Sequence, residues 1–181
     1  MTEPTFNKDS RYFHYRMDSL ETKPELLTDF ITPNDKFFVC KVVDSPMIDL
    51  ATFSLKIGGN GVGKPFALSY DALKKLPSYT VISYLECAGN HRDLFERVMG
   101  HSIETPDDGF GMTKWLTGGV GNAVWTGVSL CTLLELAELD PDTVEVNAIG
   151  LDAEAPEGGV NRPIPIAKAL DPNALVAYHM K

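Results

Sequence analysis

From Phe53 to Ile57 apolar and polar residues alternate (Phe-Ser-Leu-Lys-Ile), a period of two that predicts a half-buried strand. Gly58-Gly59-Asn60-Gly61 then reads as a turn, and Pro65–Leu68 as a second strand. Ser69 is a suitable N-cap for a short helix over Tyr70–Leu76, with Asp71 in its first turn, lysines in its last and Pro77 ending it. Tyr79–Glu86 is rich in β-formers and apolar on both faces, which predicts an interior strand. Leu130, Leu133, Leu134 and Ala137 fall at i, i+3, i+4 and i+7, one buried face of a helix. Phe37–Val43, Val144–Ile149 and Ala174–Tyr178 complete the predicted strands. Residues 1–35 read as an extended lead-in with one helical turn near Glu25–Phe30. Gly109–Gly127 reads as a glycine-rich loop and Gly150–Gly159 as an acidic one. Strands and short helices alternate irregularly, so the predicted class is α+β (mixed α/β) rather than doubly wound.

Composition narrows the picture without changing it. The 181 residues are 44% hydrophobic and 23% charged, sufficient for one substantial core, and one domain over 1–181 is expected. The formal net charge of −9 repels phosphate backbones, so no nucleic-acid partner is expected. No apolar run reaches the length of a membrane span. Met1–Arg16 lacks the apolar core of a secretory signal, so the chain as written is expected in the cytoplasm, or in the periplasm if an export leader precedes it. Three cysteines, Cys40, Cys87 and Cys131, form no disulfide framework.

Two patterns imitate other chemistries. Gly58–Lys64 has the spacing of a phosphate loop, but Pro65 stands where that motif needs Ser or Thr for magnesium, and a strand follows instead of a helix. Cys87 and His91 are four apart without a second ligand pair, which argues against zinc. A Cys–His nucleophile pair is open in principle, since such partners meet in space. Cys131, inside an apolar helix, is expected to pack as a small hydrophobe.

The informative stretch is Leu85-Glu86-Cys87-Ala88-Gly89-Asn90-His91-Arg92, at the end of the predicted interior strand. A cysteine there stands where loops converge on a pocket, and Ala88 and Gly89 allow close approach of a ligand to the backbone. Arg92 offers a forked donor to an oxyanion, and a nearby cation favours the thiolate, a soft ligand for thiophilic metals. The plainer alternatives are a buried structural cysteine beside a turn, and an Arg92 that pairs on the surface with Glu86, Asp93 or Glu96.

This stretch resembles the cysteine signature of the sulfite oxidase family of molybdopterin-dependent oxidoreductases, usually Cys-Ala-Gly-Asn followed by Arg or Gly and then Arg. Gly118–Leu130 is similar to the family's glycine-rich stretch leading into a leucine-rich helix. Gly150-Leu151-Asp152, and Pro163–Pro165 through Lys168-Ala169 to Leu175–Tyr178, match further segments. Upstream, Pro33–Val39 and Ile48-Asp49 match the opening strand and the turn after it. Each motif is common by itself; their order over residues 30–181 is specific. Among subgroups the sulfane dehydrogenases of bacterial sulfur oxidation are nearest in pattern.

The resemblance implies a sulfite-oxidase-type molybdopterin-binding fold and a molybdenum–molybdopterin cofactor with Cys87 as protein ligand to the metal. It implies oxygen-atom transfer to or from a small sulfur compound, with electrons passed to a haem or cytochrome partner. Carried over by position, Phe38, Val39, Cys40, Lys41 and Val42 cover the first cofactor-contact stretch, Asn90 lies in the cysteine signature, Asp152 matches a further pterin contact and Arg92 the arginine near the oxyanion pocket. Cys40 and Val42 stand where the family commonly carries Arg and His, and Val160 falls near its active-site tyrosine. The family continues beyond the position of Tyr178–Lys181 into a phosphate-gripping segment and a dimerisation domain. The chain is therefore expected to be an N-terminal part of the catalytic domain of a dimeric protein. The alternative is a non-catalytic or truncated module without a competent cofactor site.

Overall fold

Residues 8–16, 19–41, 43–101, 113–155 and 158–181 are described by the computed structural model. They fold as two compact units, the described residues of 1–42, 82–124 and 181 forming one and those of 43–81 and 125–180 the other. Strands β1 (Phe13–Arg16) and β2 (Ser19–Thr22) form an antiparallel hairpin in the first unit. In the second unit β3 (Ser54–Ile57) pairs antiparallel with β4 (Phe66–Ser69), which runs into α1 (Tyr70–Lys74). Strand β5 (Ser78–Glu86), helix α2 (Arg92–Met99) and strand β6 (Val120–Ser129) follow. Helix α3 (Leu130–Leu136), strands β7 (Glu145–Ile149) and β8 (Asn161–Pro165), α4 (Ile166–Ala169) and β9 (Leu175–Met180) complete the order. Three strands pair in the order β5-β6-β9, and β7 pairs antiparallel with β8. The α+β expectation holds.

In the second unit the predicted elements recur for the predicted reasons. Ser69 Oγ accepts the Ala72 amide at 3.2 Å and caps α1. Leu73, Val128 and Leu133 form a buried cluster against Leu55, Phe66, Leu68, Leu76, Val176 and Tyr178, so the helical and strand periodicities meet in one core. The glycine turn is a fold contact: the Gly63 and Lys64 amides donate to the carbonyls of Glu138 and Ala137 at 3.0 and 2.9 Å. Amides spent on the end of α3 do not cradle phosphate.

Several expectations need correction. Phe37–Val43 is not a strand; among the described residues only Val39 bridges, to Leu20. Phe37 and Phe38 are both buried rather than alternating, and the Lys36 and Phe37 amides fold back onto Pro33 and Asn34 at 2.9 and 3.3 Å. The lead-in contains the β1–β2 hairpin. Strand β5 lies at the edge of its sheet, with Ile82, Tyr84 and Leu85 exposed, so two apolar faces here do not mark an interior strand within the described residues. Gly109–Gly127 is a strand from Val120 onward, while residues 109–112 lie outside the described residues. Cys131 is only half-buried, and its Sγ donates to Glu135 Oε1 at 3.6 Å instead of packing wholly as an apolar group. Helix α2, strand β8 and helix α4 were not expected.

Candidate active site

All the chemistry of the cysteine stretch lies in the first unit. Cys87 follows β5 directly, where the chain turns toward α2. Its amide donates to Gly119 O at 2.8 Å, and its carbonyl accepts from the Asn90 amide at 2.8 Å. The His91 and Asp93 amides continue the attachment, to Leu116 O at 2.7 Å and Trp115 O at 2.9 Å. Asn90 fastens the turn from its side chain: Oδ1 accepts from the Gly119 amide at 3.1 Å and Nδ2 donates to Glu86 Oε1 at 2.9 Å. His91 caps α2 with φ 69° and ψ 4°, a left-handed conformation unusual for a residue other than glycine and tolerated where the surroundings over-determine it. An open cavity of about 630 Å³ is lined by Ser83, Tyr84, Leu85, Glu86, Cys87, Ala88 and Asn90.

The segment 113–119 is the platform beneath this turn. Trp115 is fully buried, with Phe38 edge-on to it at 5.8 Å between centroids. Glu21, also fully buried, reaches from β2 and accepts the Leu116 and Gly118 amides on Oε1 at 2.8 and 3.0 Å, while Arg16 Nε donates to Oε2 at 2.5 Å. Gly118 is required there, because a Cβ would stand 1.8 Å from Thr22 O.

Electrostatics favour the ionised thiol. The Cys87 pKa falls from an ordinary 9.0 to about 6; the Cys40 thiol is the main cause, burial opposes it, and the Gly89 amide, the Arg92 charge and the Trp115 indole assist. The two sulfurs are 3.9 Å apart. Because the folded value lies below the ordinary one, the thiolate stabilises the fold fully above about pH 9, less as pH falls, and not below about 6. Alkylation by iodoacetamide should therefore follow a pH profile for Cys87 with its midpoint near 6, read by peptide mapping. Cys131, pushed up by burial and then by Glu135, should react only under alkaline conditions. A Cys87 midpoint above pH 8 would show that the turn does not hold a thiolate.

Arg92 is the first residue of α2, and its guanidinium lies against Gly89, where a Cβ would meet it at 2.7–2.9 Å. Nη1 donates to Thr113 O at 2.7 Å. The surface-pairing alternative is not observed: Glu86 is held by Asn90, Asp93 by Arg97 and Glu96 by Lys114. Among the described residues no carboxylate neutralises Arg92, so its charge acts on the Cys87 turn.

The other expected site residues have these local partners. Cys40 meets Cys87, Phe38 supports Trp115, and Val39 exchanges backbone hydrogen bonds with Leu20 at 2.8 and 2.9 Å. The Lys41 amide donates to Ser19 Oγ at 3.3 Å. Val42 lies outside the described residues. Asp152 belongs to the second unit, where Oδ1 accepts the Val160 amide at 3.0 Å and closes the loop between β7 and β8. Sequence reasoning missed Glu21 and Trp115; Glu21 carries no local signal, whereas a tryptophan leading into a glycine-rich stretch was visible.

A molybdenum cofactor can be tested against this arrangement. The buried Trp115 Nε1–H has no acceptor among the described residues, yet lies near enough to favour the Cys87 thiolate. A group carrying sulfur or oxygen acceptors at Cys87 would satisfy it. The soft thiolate suits a thiophilic metal. The residues present fit the group.

Comparison with known proteins agrees. The family profile described as "Oxidoreductase molybdopterin binding domain" matches residues 42–181. The mitochondrial sulfite oxidase of Rattus norvegicus is 34% identical over 189 residues, 99% of this chain and 33% of the relative. That of Mus musculus is 36% identical over 165 residues, 88% of this chain and 29% of the relative. The chain thus spans about a third of the length of these relatives. Among solved structures, the sulfane dehydrogenase SoxCD from Paracoccus pantotrophus superposes with a TM-score of 0.68 over 97% of this chain and 40% of that one, at 21% identity, a likeness of fold.

Proposed function

This chain belongs to the oxidoreductase molybdopterin-binding family, of the sulfite oxidase type, and we propose from that premise that it supplies the metal-ligating part of an oxygen-atom-transfer enzyme acting on a small sulfur compound. The observation that carries the reading is the place of Cys87, lining the cavity beyond β5 on a turn fastened by Gly119 and Asn90. The cofactor, when bound, supplies oxygen-atom exchange with a sulfur centre and the two-electron redox change that accompanies it. Cys87 Sγ would hold the metal. Asn90, through Gly119 and Glu86, fixes the turn that aims the sulfur, and the Trp115 indole N–H gives a hydrogen bond to an acceptor there. Phe38, Val39, Cys40, Lys41 and Val42 form the first contact stretch; Phe38 contributes by bracing Trp115. Electrons would pass to a haem or cytochrome partner. Residues 1–181 form part of one molybdopterin-binding domain.

Arg92 sets the preference for an anionic substrate, because its charge is unpaired by any described carboxylate beside the cysteine turn. In protein carrying molybdenum, Arg92→Met should keep the metal but lower kcat/KM for an anionic sulfur substrate by on the order of 10²-fold, the scale of one lost charged donor. A neutral sulfoxide should lose much less. Equal losses on both substrates would place Arg92 in support of the turn rather than toward substrate. The reading as a whole is tested by metal analysis of protein made in a host that synthesises molybdopterin. About one molybdenum per chain is expected; a folded chain with none would leave the non-catalytic module.

A further inference from the structure

The Cys40 and Cys87 sulfurs face each other at 3.9 Å, with Cys40 exposed and Cys87 half-buried. We propose that these two cysteines form a reversible disulfide, a redox modification site that withdraws Cys87 from metal binding; the consequence, though not the disulfide, rests on the proposed function. A disulfide bond is about 2.0 Å long, so the sulfurs must close by roughly 2 Å, a displacement a side-chain rotation supplies. Cys87 is held by its backbone bonds to Gly119 and Asn90, whereas Cys40 lies beyond the Val39–Leu20 bridge in no regular element. Rotation of either side chain supplies the closure, and the exposure of Cys40 admits the oxidant.

The oxidant is a low-molecular-weight disulfide. The thiolate of one cysteine attacks a sulfur of that disulfide, forming a mixed disulfide and expelling one thiol. The second cysteine, as thiolate, attacks the protein sulfur of the mixed disulfide, forms the internal bond and expels the other thiol. Two electrons and two protons leave the pair, and one disulfide becomes two thiols. An added dithiol reverses the exchange. Cys131 takes no part, because its sulfur already donates to the Glu135 carboxylate.

The test uses the whole chain without metal, glutathione disulfide as probe, and non-reducing peptide mapping. The three thiols should fall to one, with the Cys40 and Cys87 peptides joined, lighter by two hydrogens and carrying no glutathione. Cys131→Ser should give the same link. Cys40→Ser should stop at a glutathione adduct on Cys87, and loss of Cys87 alkylation by internal linkage should vanish. Wild-type protein that stops at that adduct, or keeps three thiols while Cys87 still alkylates, would overturn the inference. Protein loaded with the cofactor should form the link at least tenfold more slowly. Absence of molybdenum in that arm counts against the ligand assignment alone, since the link needs no metal.

Discussion

Replacing Cys87 by Ser should abolish oxygen-atom transfer while leaving the fold in place. The hydroxyl is nearly the size of the thiol, but it is hard and does not ionise near neutrality, so it exchanges a soft ligand for a poor one. Turnover should fall by at least on the order of 10³-fold, more than the loss of a single charge-stabilising hydrogen-bond donor usually costs. Molybdenum content should fall with it. The backbone bonds that fix the turn, from Cys87 N to Gly119 O and from Asn90 N to Cys87 O, do not involve the sulfur. The side chain is half-buried, and its main polar neighbour, the Cys40 thiol, is joined by the Gly89 amide and the Trp115 indole, which a hydroxyl can also meet. At about pH 6, where the thiolate adds little to stability, thermal unfolding followed by circular dichroism should therefore move by no more than roughly 1 kcal/mol. Retained turnover in this variant would remove Cys87 from the ligand position. A chain that fails to fold would show instead that the cysteine is a packing residue.

The parts of this structure legible in the sequence are those whose reasons are local. Strands β3 and β4, the Ser69 cap and the Leu133–Leu134–Ala137 face each rest on spacing within a dozen residues, and each recurs. The cysteine turn was legible for a different reason, since its motif is contiguous. Illegible were the features set by residues far apart. Phe37 and Phe38 have strand-forming side chains, but Trp115 and Gly121 supply the apolar pocket that turns both inward, and Gly121 leaves no room for a Cβ beside the Phe37 ring. Strand β5 was expected inside because both faces are apolar, and pattern alone does not say what covers a face. Helix α2 has an apolar set, Leu94, Phe95, Val98 and Met99, that is exposed in this chain. Position alone puts Cys40 in a contact stretch, but its approach to Cys87 across 47 residues is set by the fold and carries no local signal.

The largest effect on stability is expected at Glu21, a residue without any motif. Its carboxylate is fully buried and receives three hydrogen bonds: the Leu116 and Gly118 amides on one oxygen, Arg16 on the other. Glu21→Ala would leave both amides without their acceptor and Arg16, three-quarters buried, without its partner. Breaking a buried pair from one side costs about 3–5 kcal/mol, more than the isolated pair is worth, because the stranded groups are not rehydrated. Glu21→Gln keeps one acceptor oxygen for the two amides but turns an NH2 donor toward Arg16 Nε, so the Arg16 bond alone is lost and the cost should be less, about 1.5–3 kcal/mol, the range of one hydrogen bond to a charged group. Urea unfolding at neutral pH separates the two variants. The effect should also reach the cysteine, since Leu116, Trp115 and Gly119 provide the carbonyls that hold His91, Asp93 and Cys87. In Glu21→Gln the alkylation midpoint of Cys87 should rise above about 6, because a looser platform relaxes the turn that sets Cys87 against Cys40 and, as a lesser contribution, moves the Trp115 indole from the sulfur. A Glu21→Ala variant within 1 kcal/mol of the wild type, with an unmoved midpoint, would show that segment 113–119 is held by its apolar packing through Trp115 and Phe38, and that the buried carboxylate is incidental to the site.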